Sequence, residues 1–336
     1  MVSFRMVGMG PLDALLSDPE VSEVMVNGPG PVWVERAGAL VESDVVIDAA
    51  TAAHVLERIV APLGLRADRT SPLVDARLPD GSRVNAVVAP IALDGPCLTV
   101  RRFGARAVTL AELCPPGVAE LLAWAVAARS NIIVSGGTGG GKTTLLNALA
   151  ACIPDGERIV TIEDAAELRL AARHVVRLEA RPANADGLGA VTLRALVRNA
   201  LRMRPDRIVV GEARGPEALD VLQAMNTGHE GSLSTCHANS PVDALRRLES
   251  MVLMGDVALP LAAVRDQLAA SVDLVVQTER LPGGARRVST VSEVVDASDG
   301  ADRVRALADR DGLHALPRRK GRAVGAPPPL ASWVVP

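Results

Sequence analysis

The sequence predicts an α/β protein of two domains, a smaller one followed by a larger one with a largely parallel sheet. Three observations lead to this prediction. Strand-like and helix-like stretches alternate from residue 118 onward. A glycine-rich segment, residues 136–143, lies between an apolar run and a helix-like run. A mixed strand and helix pattern over residues 1–104 gives way to a proline- and glycine-containing segment, residues 105–117, that we expect to be a linker.

The first domain is expected to be a small α/β unit over residues 1–104. Strands are predicted where apolar residues alternate with polar ones beside turn residues, as in the hairpin across Asn27 and Gly28. A helix is predicted where Val55 and Ile59 share one face. The expected elements are a helix at 11–16, strands at 24–26 and 32–35, a helix at 50–60, and strands at 73–77, 83–88 and 98–103.

The second domain is expected over residues 118–296, with a variable and disordered basic, proline-rich tail over 297–336. Short apolar runs predict its strands and longer amphipathic stretches its helices. Strands are expected at 131–135, 158–162, 207–210, 232–235, 274–277 and 288–294, and helices at 118–128, 144–150, 193–201, 216–225, 241–254 and 261–270. Because carboxyl ends of parallel strands meet at one edge of a sheet, residues that follow these strands should lie together.

The glycine-rich segment matches the complete G-x-x-x-x-G-K-[ST] pattern of a phosphate-binding loop. Glycines let the backbone bring its N–H groups close to phosphates, and the following helix adds its N-terminal dipole. We expect Lys142 to bind the β- and γ-phosphates of ATP and the Thr143 hydroxyl to bind Mg²⁺. The predicted nucleotide-binding residues are Gly136, Gly137, Thr138, Gly139, Gly140, Gly141, Lys142, Thr143 and Thr144.

Composition limits the classes of partner. The net charge is −3, from 36 basic and 39 acidic side chains, and the chain has two Phe, three Trp and no Tyr. These values argue against direct nucleic-acid binding, which favours basic surfaces and aromatic stacking. The four cysteines have no C-x-x-C spacing, which favours free thiols over a zinc site or disulfides. No apolar run is long enough to span a membrane, so we expect a cytoplasmic protein that reaches the membrane through a partner.

Acidic residues and histidines at predicted strand ends are the candidate catalytic residues. Glu212 follows a buried strand in a Walker-B-like position, and Glu163 with Asp164 follows another. His237 ends the next strand, and His229 lies in the loop before it. A carboxylate there could activate water, and a histidine could bind a γ-phosphate oxygen. The alternatives are helix caps for the acids and packed polar residues for the histidines, and for His229 both remain open.

Four ordered segments resemble the type II/type IV secretion NTPase superfamily, and within it the Tad/Flp pilus assembly (CpaF-type) ATPases. The resemblance extends over about residues 11–295. Segment 71–86 is particularly similar to the Tad/Flp subgroup. One departure is Gly140, where these loops usually carry Ser. The segments that carry the resemblance are 136–143, 161–168, 202–212 and 226–239.

The resemblance implies a hexameric ring of RecA-like ATPase domains, each with a PAS-like N-terminal domain hinged over Mg²⁺-ATP. It implies that Glu212, Glu163, His237 and His229 surround the γ-phosphate and that Asp164, with Glu163 and Thr143, lies at the metal. It also implies that N-terminal-domain arginines reach the phosphates. The matching positions are Arg83 and Arg101, with Arg102 adjacent, and the alternative for them is a solvated strand face.

The predicted function is therefore an ATPase that powers pilus assembly or secretion. The implied partners are further copies of the chain, an inner-membrane platform protein and, indirectly, a pilin or secreted substrate. A DNA-transfer or DNA-motor ATPase of the same superfamily is the nearest alternative. A nucleotide-binding scaffold without hydrolysis is the alternative of another class, and intact Lys142, Thr143 and Glu212 argue against it.

Overall fold

The computed structural model describes residues 8–36, 38–63, 65–78, 80–102, 108–115, 117–181, 188–295 and 303–318. Its Cα positions divide into two compact units. The first unit holds the described residues up to 102 together with 282–285, and the second holds the other described residues from 108 onward. Each unit has its own apolar core, as the two-domain prediction requires.

Within its described residues, the first unit contains a six-stranded antiparallel sheet and two α-helices. The strand order across the sheet is β3-β2-β1-β6-β5-β4. The elements are α1 (Asp13–Ser17), β1 (Val21–Asn27), β2 (Gly30–Arg36), β3 (Ala39–Ile47), α2 (Ala49–Val60), β4 (Leu73–Arg77), β5 (Arg83–Val87) and β6 (Cys97–Arg101).

One face of this sheet packs on α2. Asp48 begins the helix by accepting a hydrogen bond from Thr51 N at 2.7 Å, and Val55 and Ile59 bury their side chains against Val24 and Val100 of the sheet core. The prediction missed β3, which is an edge strand with mostly exposed residues and therefore little apolar alternation. The opposite sheet face carries the odd-numbered positions of the central strands, including Arg83 and Arg101.

The described part of the second unit contains a nine-stranded sheet in the order β15-β14-β13-β12-β7-β11-β10-β8-β9. Strands β12, β7, β11, β10, β8 and β9 run parallel, while β13 to β15 are antiparallel. The strands are β7 (Ile132–Gly136), β8 (Ile159–Glu163), β9 (Val175–Glu179), β10 (Arg207–Val210), β11 (Leu233–His237), β12 (Leu274–Arg280), β13 (Arg286–Val294), β14 (Val304–Asp309) and β15 (Gly312–Leu313).

Helices cover both faces of this sheet, which gives a three-layer unit. The helices α3 (Leu110–Leu113), α4 (Val118–Ala127) and α5 (Lys142–Ala150) pack on one face. The helices α6 (Leu193–Ala200), α7 (Glu217–Asn226), α8 (Pro241–Leu253) and α9 (Leu261–Ser271) pack on the other. Because β7, β8 and β10 are buried at every residue, they appear in the sequence as short, mostly apolar runs.

Two boundary predictions need correction. The linker expected over 105–117 is too long, because Leu110, Leu113 and Cys114 are buried in the core of the second unit; residues 103–107 lie outside the described residues. The disordered tail expected over 297–336 is wrong for 303–318. There β14 pairs with β13, and Leu307 is fully buried, whereas 296–302 and 319–336 lie outside the described residues.

Buried charge explains why the chain continues as β14. Glu293 on β13 is 1% exposed, and a carboxylate so buried is costly unless it is paired. Arg305 on β14 supplies that pair, with its Nη2 2.6 Å from Glu293 Oε2. The other carboxylate oxygen accepts from Arg318 N at 2.7 Å. The segment that was predicted to be disordered therefore supplies, in Arg305, the cation that pairs with a buried acid of β13.

Candidate nucleotide site

The phosphate-loop pattern lies at the carboxyl end of β7, the strand between β11 and β12. Gly139 and Gly141 have φ of 69° and 94°, a conformation that side chains other than glycine rarely adopt. A Cβ at Gly141 would also lie 2.9 Å from Arg286 Cδ, and one at Gly136 would clash with Thr278 Oγ1. Glycine at these positions is thus required by backbone conformation and by close neighbours.

Gly140 also has a local reason for being glycine. Its N–H donates to Gly137 O at 3.2 Å, which closes the tip of the loop. A Cβ at position 140 would lie 3.0 Å from the same oxygen, tighter than ordinary contact. A serine there would require the loop to shift by a few tenths of an ångström. The departure from the usual serine therefore keeps the backbone turn and removes one hydroxyl.

Lys142 opens α5 and is folded back over the loop. Its Nζ donates to Gly136 O at 3.1 Å and to Gly137 O at 3.0 Å. Burial lowers the pKa of Lys142, while nearby Glu212 opposes that shift. A half-buried ammonium beside a helix N-terminus creates a site of positive potential for an anion. Thr143 and Thr144 follow in the first turn, and Thr138 is exposed at the loop.

Glu163 lies at the end of β8 and is only 3% exposed. Its Oε1 accepts from Glu167 N at 2.7 Å and from Leu168 N at 2.9 Å, so this oxygen organises the acidic segment. Its Oε2 is buried and has no hydrogen-bond partner among the described residues. Burial raises the pKa of Glu163 above its usual value, with the two backbone N–H groups acting in the opposite direction. Because a Cβ at Gly211 would lie 2.9 Å from Glu163 Cγ, glycine there lets the two segments approach.

Glu212 is held by an arginine that the prediction did not include. Arg214 Nη2 lies 2.8 Å from Glu212 Oε2, and its Nη1 lies 3.6 Å from Asp164 Oδ2. The buried carboxylate of Glu217 fixes this turn by accepting from Arg214 N at 2.7 Å and Gly215 N at 2.8 Å. A short sequence pattern could have indicated this arrangement. Arg214 comes two residues after Glu212, and Glu217, which caps the turn, comes three residues after Arg214.

The two histidines lie at opposite ends of β11. His237 is the register partner of Gly136, so its backbone is beside the start of the phosphate loop. Ser232 O accepts from Ile132 N, which aligns the loop carrying His229 with the beginning of β7. Four residue steps of about 3.3 Å separate these ends. The expectation that His229 lies on the same rim as the phosphate loop is wrong, because its loop precedes a strand parallel to β7. A role for His229 at the γ-phosphate stays a prediction.

The loop around His229 is instead held by a buried asparagine. Asn131 is fully buried; its Oδ1 accepts from Gly231 N at 2.8 Å and Ser232 N at 3.1 Å. Its Nδ2 donates to Met225 O at 2.9 Å and Ser271 O at 2.6 Å. This single amide therefore joins three segments at the edge opposite the phosphate loop. Part of the 226–239 motif is structural.

The oxygen donors beside the loop fit a magnesium ion held mainly by a nucleotide. No group of three or more His, Cys, Asp and Glu among the described residues is arranged to hold a metal by itself. Mg²⁺ commonly keeps waters and takes one or two protein ligands together with substrate phosphates. Thr143 Oγ1 donates to Glu167 Oε2 at 3.4 Å, so these two residues would provide such ligands. Glu167 was missed, and Asp164, though exposed, faces Arg214.

Comparison with known proteins identifies the family. Residues 6–303 match the family model described as type II/IV secretion system protein. The chain belongs to this family. Over 300 residues this chain is 41% identical to a Mycobacterium tuberculosis protein named as a conjugal transfer protein, covering 86% of this chain and 85% of that one. Over 311 residues it is 39% identical to the type IV secretion system protein PtlH of Bordetella pertussis, covering 81% and 89%.

Solved structures support the same fold for this chain. The ATPase DotB of Legionella pneumophila has a TM-score of 0.63 at 20% identity, over 84% of this chain and 79% of that one. The pilus retraction motor PilT with bound ADP has a TM-score of 0.59 at 22% identity, over 80% and 78%. The predicted fold, a RecA-like P-loop domain with a smaller N-terminal domain, is confirmed. No described helix combines the length and apolarity that crossing a membrane requires.

The arginines of the first unit that were predicted to reach the phosphates differ in their surroundings. Arg83 on β5 is exposed and is the register partner of exposed Arg101 on β6. It is also the register partner of Arg77 on β4, so the three arginines form one row across the sheet. Sequence reasoning missed Arg77 because only strand register brings it there. Arg102 instead donates from Nη1 to Val21 O at 2.8 Å and to Asp18 O, which gives it a structural role. A phosphate contact by Arg83 or Arg101 remains a prediction.

The arrangement in the second unit can bind a polyphosphate and present a carboxylate to it. Lys142, the loop N–H groups and the α5 dipole are positioned for the anion, and Glu212 follows β10, a parallel strand of the same sheet. Two more cations border the loop. A Cβ at Gly139 would lie 3.4 Å from Arg280 Nη1, and Arg286 packs on Gly141. Neither arginine was predicted, because both come from strands far along the chain.

Proposed function

We propose that this chain hydrolyses ATP and uses the energy to drive a secretion or pilus-assembly machine. The observation that carries the proposal is the phosphate loop with Lys142 and Thr143 on the same sheet edge as Glu212. Family membership supports the class of machine, since the matched family is named for type II/IV secretion. The finer assignment, to a Tad/Flp-type pilus, rests on the resemblance of segment 71–86.

In the proposed reaction, Lys142 leaves the carbonyls of Gly136 and Gly137 and binds phosphate oxygens of ATP. Glu212 orients a water molecule and accepts its proton as the new P–O bond forms and the bond to the β,γ-bridging oxygen breaks. Arg214 keeps the Glu212 carboxylate in place. Magnesium, held by Thr143 and Glu167, would neutralise charge on the phosphate oxygens. The products are ADP and inorganic phosphate.

The proposal predicts that Glu212→Gln separates hydrolysis from binding. The amide keeps the shape of the side chain but cannot accept the proton, so kcat should fall by about 100-fold or more. The Kd for ATP should change little, because the phosphate loop is intact. Steady-state turnover and nucleotide titration of the full chain with Mg²⁺ measure the two effects.

Asp266→Asn is the matched control, since it also converts an acid to an amide but on the exposed surface of α9. It should leave turnover unchanged. Equal and very slow turnover in the wild type and in Glu212→Gln would instead support a nucleotide-binding scaffold. Loss of ATP binding in Glu212→Gln would contradict the proposed role of Glu212 as a base.

We further propose that copies of the chain form a hexameric ring at the inner face of the cell membrane, docked on a membrane platform protein. Relatives named for secretion systems support a membrane-associated machine. Analytical ultracentrifugation with ATP tests the ring, and a species no larger than a dimer would refute it. Membrane fractionation tests docking on the platform. The chain should be recovered with membranes only when the polytopic membrane proteins encoded by neighbouring genes are also present.

Transfer of DNA is the second candidate, favoured by the conjugal-transfer names of relatives such as TrbB of Rhizobium radiobacter, 36% identical over 83% of this chain. The two candidates share the ATPase reaction and differ in what the machine moves. The overall charge and composition of this chain favour indirect action, through a membrane partner, in either case.

A further inference from the structure

A second basic site lies beside the catalytic edge, in a cavity of about 440 Å³ between the end of β11 and α8. It is separate from the phosphate loop, none of whose residues line it. Its lining is Arg214, His237, Ala238, Asn239, Asp243, Arg246, Arg247, Ser250, Met251 and Met254. The lining contains three arginines and one acid. Because Arg214 is paired with Glu212 outside the lining, the positive charge available to a ligand comes mainly from Arg246 and Arg247.

The single acid compensates little of this charge. Asp243 Oδ1 is 3.6 Å from Arg246 Nη1, and both side chains are at least half exposed. Such a pair is weak in water. Asp243 Oδ2 also accepts a hydrogen bond from Ser240 Oγ at 2.7 Å, at the N-terminal cap of α8. Arg247 makes no ion pair with any described residue, and it contributes a full positive charge to the cavity.

The cavity adjoins the reacting groups through two shared residues. Arg214 lines the cavity and at the same time bonds Glu212. His237 lines the cavity and is the register partner of Gly136 at the start of the phosphate loop. The buried thiol of Cys236 is close enough to both the cavity and the phosphate loop to be affected by charges in each. Burial raises the pKa of Cys236 to about 11, and Arg247, Glu212 and Lys142 all act on it electrostatically.

Guanidinium groups bind phosphate through paired N–H donors, which makes arginine the preferred side chain for oxyanions. We propose that this cavity binds the inorganic phosphate released from the nucleotide, with Arg246 and Arg247 as its charged ligands and Arg214 between it and Glu212. This role rests on the proposed ATP hydrolysis. After hydrolysis the dianion moves from the loop past Arg214 into the cavity, and ADP stays on the loop.

The test measures phosphate binding directly. Equilibrium dialysis of radiolabelled inorganic phosphate is done on the full chain saturated with Mg²⁺ and ADP, which occupies the loop. We expect one saturable site per chain in the wild type. In the Arg246→Ala/Arg247→Ala double variant the Kd should rise at least about tenfold, because two charge-assisted contacts are lost. ADP affinity should stay the same, since both arginines lie outside the loop.

The matched control is the Arg173→Ala/Arg202→Ala double variant, which removes the same charge from exposed positions outside the cavity. It should bind phosphate like the wild type. Equal phosphate binding in the wild type and both double variants would overturn the proposal, as would no binding in the wild type. Reduced inhibition of ATP turnover by added phosphate in the cavity variant alone would support it.

An anionic lipid headgroup has the same phosphate chemistry and is the other source to be distinguished. Co-sedimentation with phosphatidylcholine vesicles, with and without phosphatidylglycerol, tests whether the cavity binds an anionic lipid headgroup. Loss of vesicle binding in the cavity variant, with phosphate binding unchanged, would overturn the proposal in favour of lipid. If Glu212→Gln showed that the chain does not hydrolyse ATP, arginine-dependent phosphate binding would still support the anion site and only the proposed function would fail.

Discussion

Single side chains with several partners determine the geometry at both ends of the central strand β7. At one end Lys142 bonds two loop carbonyls, and at the other Asn131 bonds four backbone groups through its amide. Glu163 performs a similar task at the end of β8. Each is a polar group in a poorly solvated place, so its contribution depends on every partner being present.

Asn131→Ala should lower the free energy of unfolding by about 2–4 kcal/mol, because it leaves buried N–H and C=O groups without partners. Urea denaturation followed by circular dichroism measures the change. Asn199→Ala, the same substitution at an exposed position of α6, should change stability by less than about 0.5 kcal/mol. Equal effects of the two substitutions would contradict the role assigned to Asn131.

Glu163 should make stability depend on pH in a defined direction. Burial raises its folded-state pKa above the ordinary value of 4.5, so between these two values the folded chain binds more protons than the unfolded chain. Stability from this group is therefore present below pH 4.5 and is lost as pH rises through the folded-state pKa.

Glu163→Gln keeps the acceptor oxygen for Glu167 N and Leu168 N but removes the titration. The free energy of unfolding of the variant relative to the wild type should rise with pH over that window. Denaturant titrations at a series of pH values give this difference. A difference that falls with increasing pH would mean that the carboxylate is stabilised in the folded state.

At the scale of elements, local patterns predicted most of the fold. The glycine loop with its strand and helix was correctly predicted because that motif is contiguous, and Gly136, Gly139, Gly140 and Gly141 each have a local structural reason. The edge strands β3 and β9 were missed because they have few buried residues, and β14 was missed because it lies in the segment that was predicted to be a tail. His229 was misplaced because the motif was interpreted without the direction of β11. Arg77, Arg280 and Arg286 depend on strand register or tertiary contacts that no short pattern contains. Arg214 was overlooked although its partners Glu212 and Glu217 lie within three residues of it.

The ordered C-terminal hairpin has a direct test. Leu307→Ala on β14 should lower the free energy of unfolding by about 2–4 kcal/mol, because it leaves a cavity where the wild-type side chain is 0% exposed. Leu253→Ala at the end of α8, where leucine is 44% exposed, is the matched control and should have a small effect. Thermal and urea denaturation report both. No loss in Leu307→Ala would restore the interpretation of this segment as a disordered tail.

At the scale of the whole molecule, the described residues form three apolar cores, one in the first unit and one on each face of the sheet in the second unit, and these cores are almost entirely aliphatic. The chain has 36 basic and 39 acidic side chains and only two Phe, three Trp and no Tyr. A surface of mixed charge with few aromatic rings offers neither the counterion release nor the stacking that DNA binding uses. Among the described residues, arginines cluster at the phosphate edge, in its neighbouring cavity and in the arginine row of the first unit.

The purified chain should therefore not bind DNA. Fluorescence anisotropy with labelled single-stranded and double-stranded DNA, at low salt and with ATP present, should show no saturable change. Binding that weakens steeply with added salt would indicate direct phosphate contacts and would favour the DNA-motor alternative. Nucleotide binding in the same samples serves as the control for folded protein.

The scarcity of one residue type makes the phosphate loop accessible to spectroscopy without mutagenesis. The sequence contains two lysines, Lys142 and Lys320, and the first bonds its own loop in this structure. Reductive methylation with isotope-labelled formaldehyde would place NMR-visible methyl groups on these amines and the amino terminus alone. A ligand-dependent chemical shift of the loop signal would then report occupancy throughout turnover.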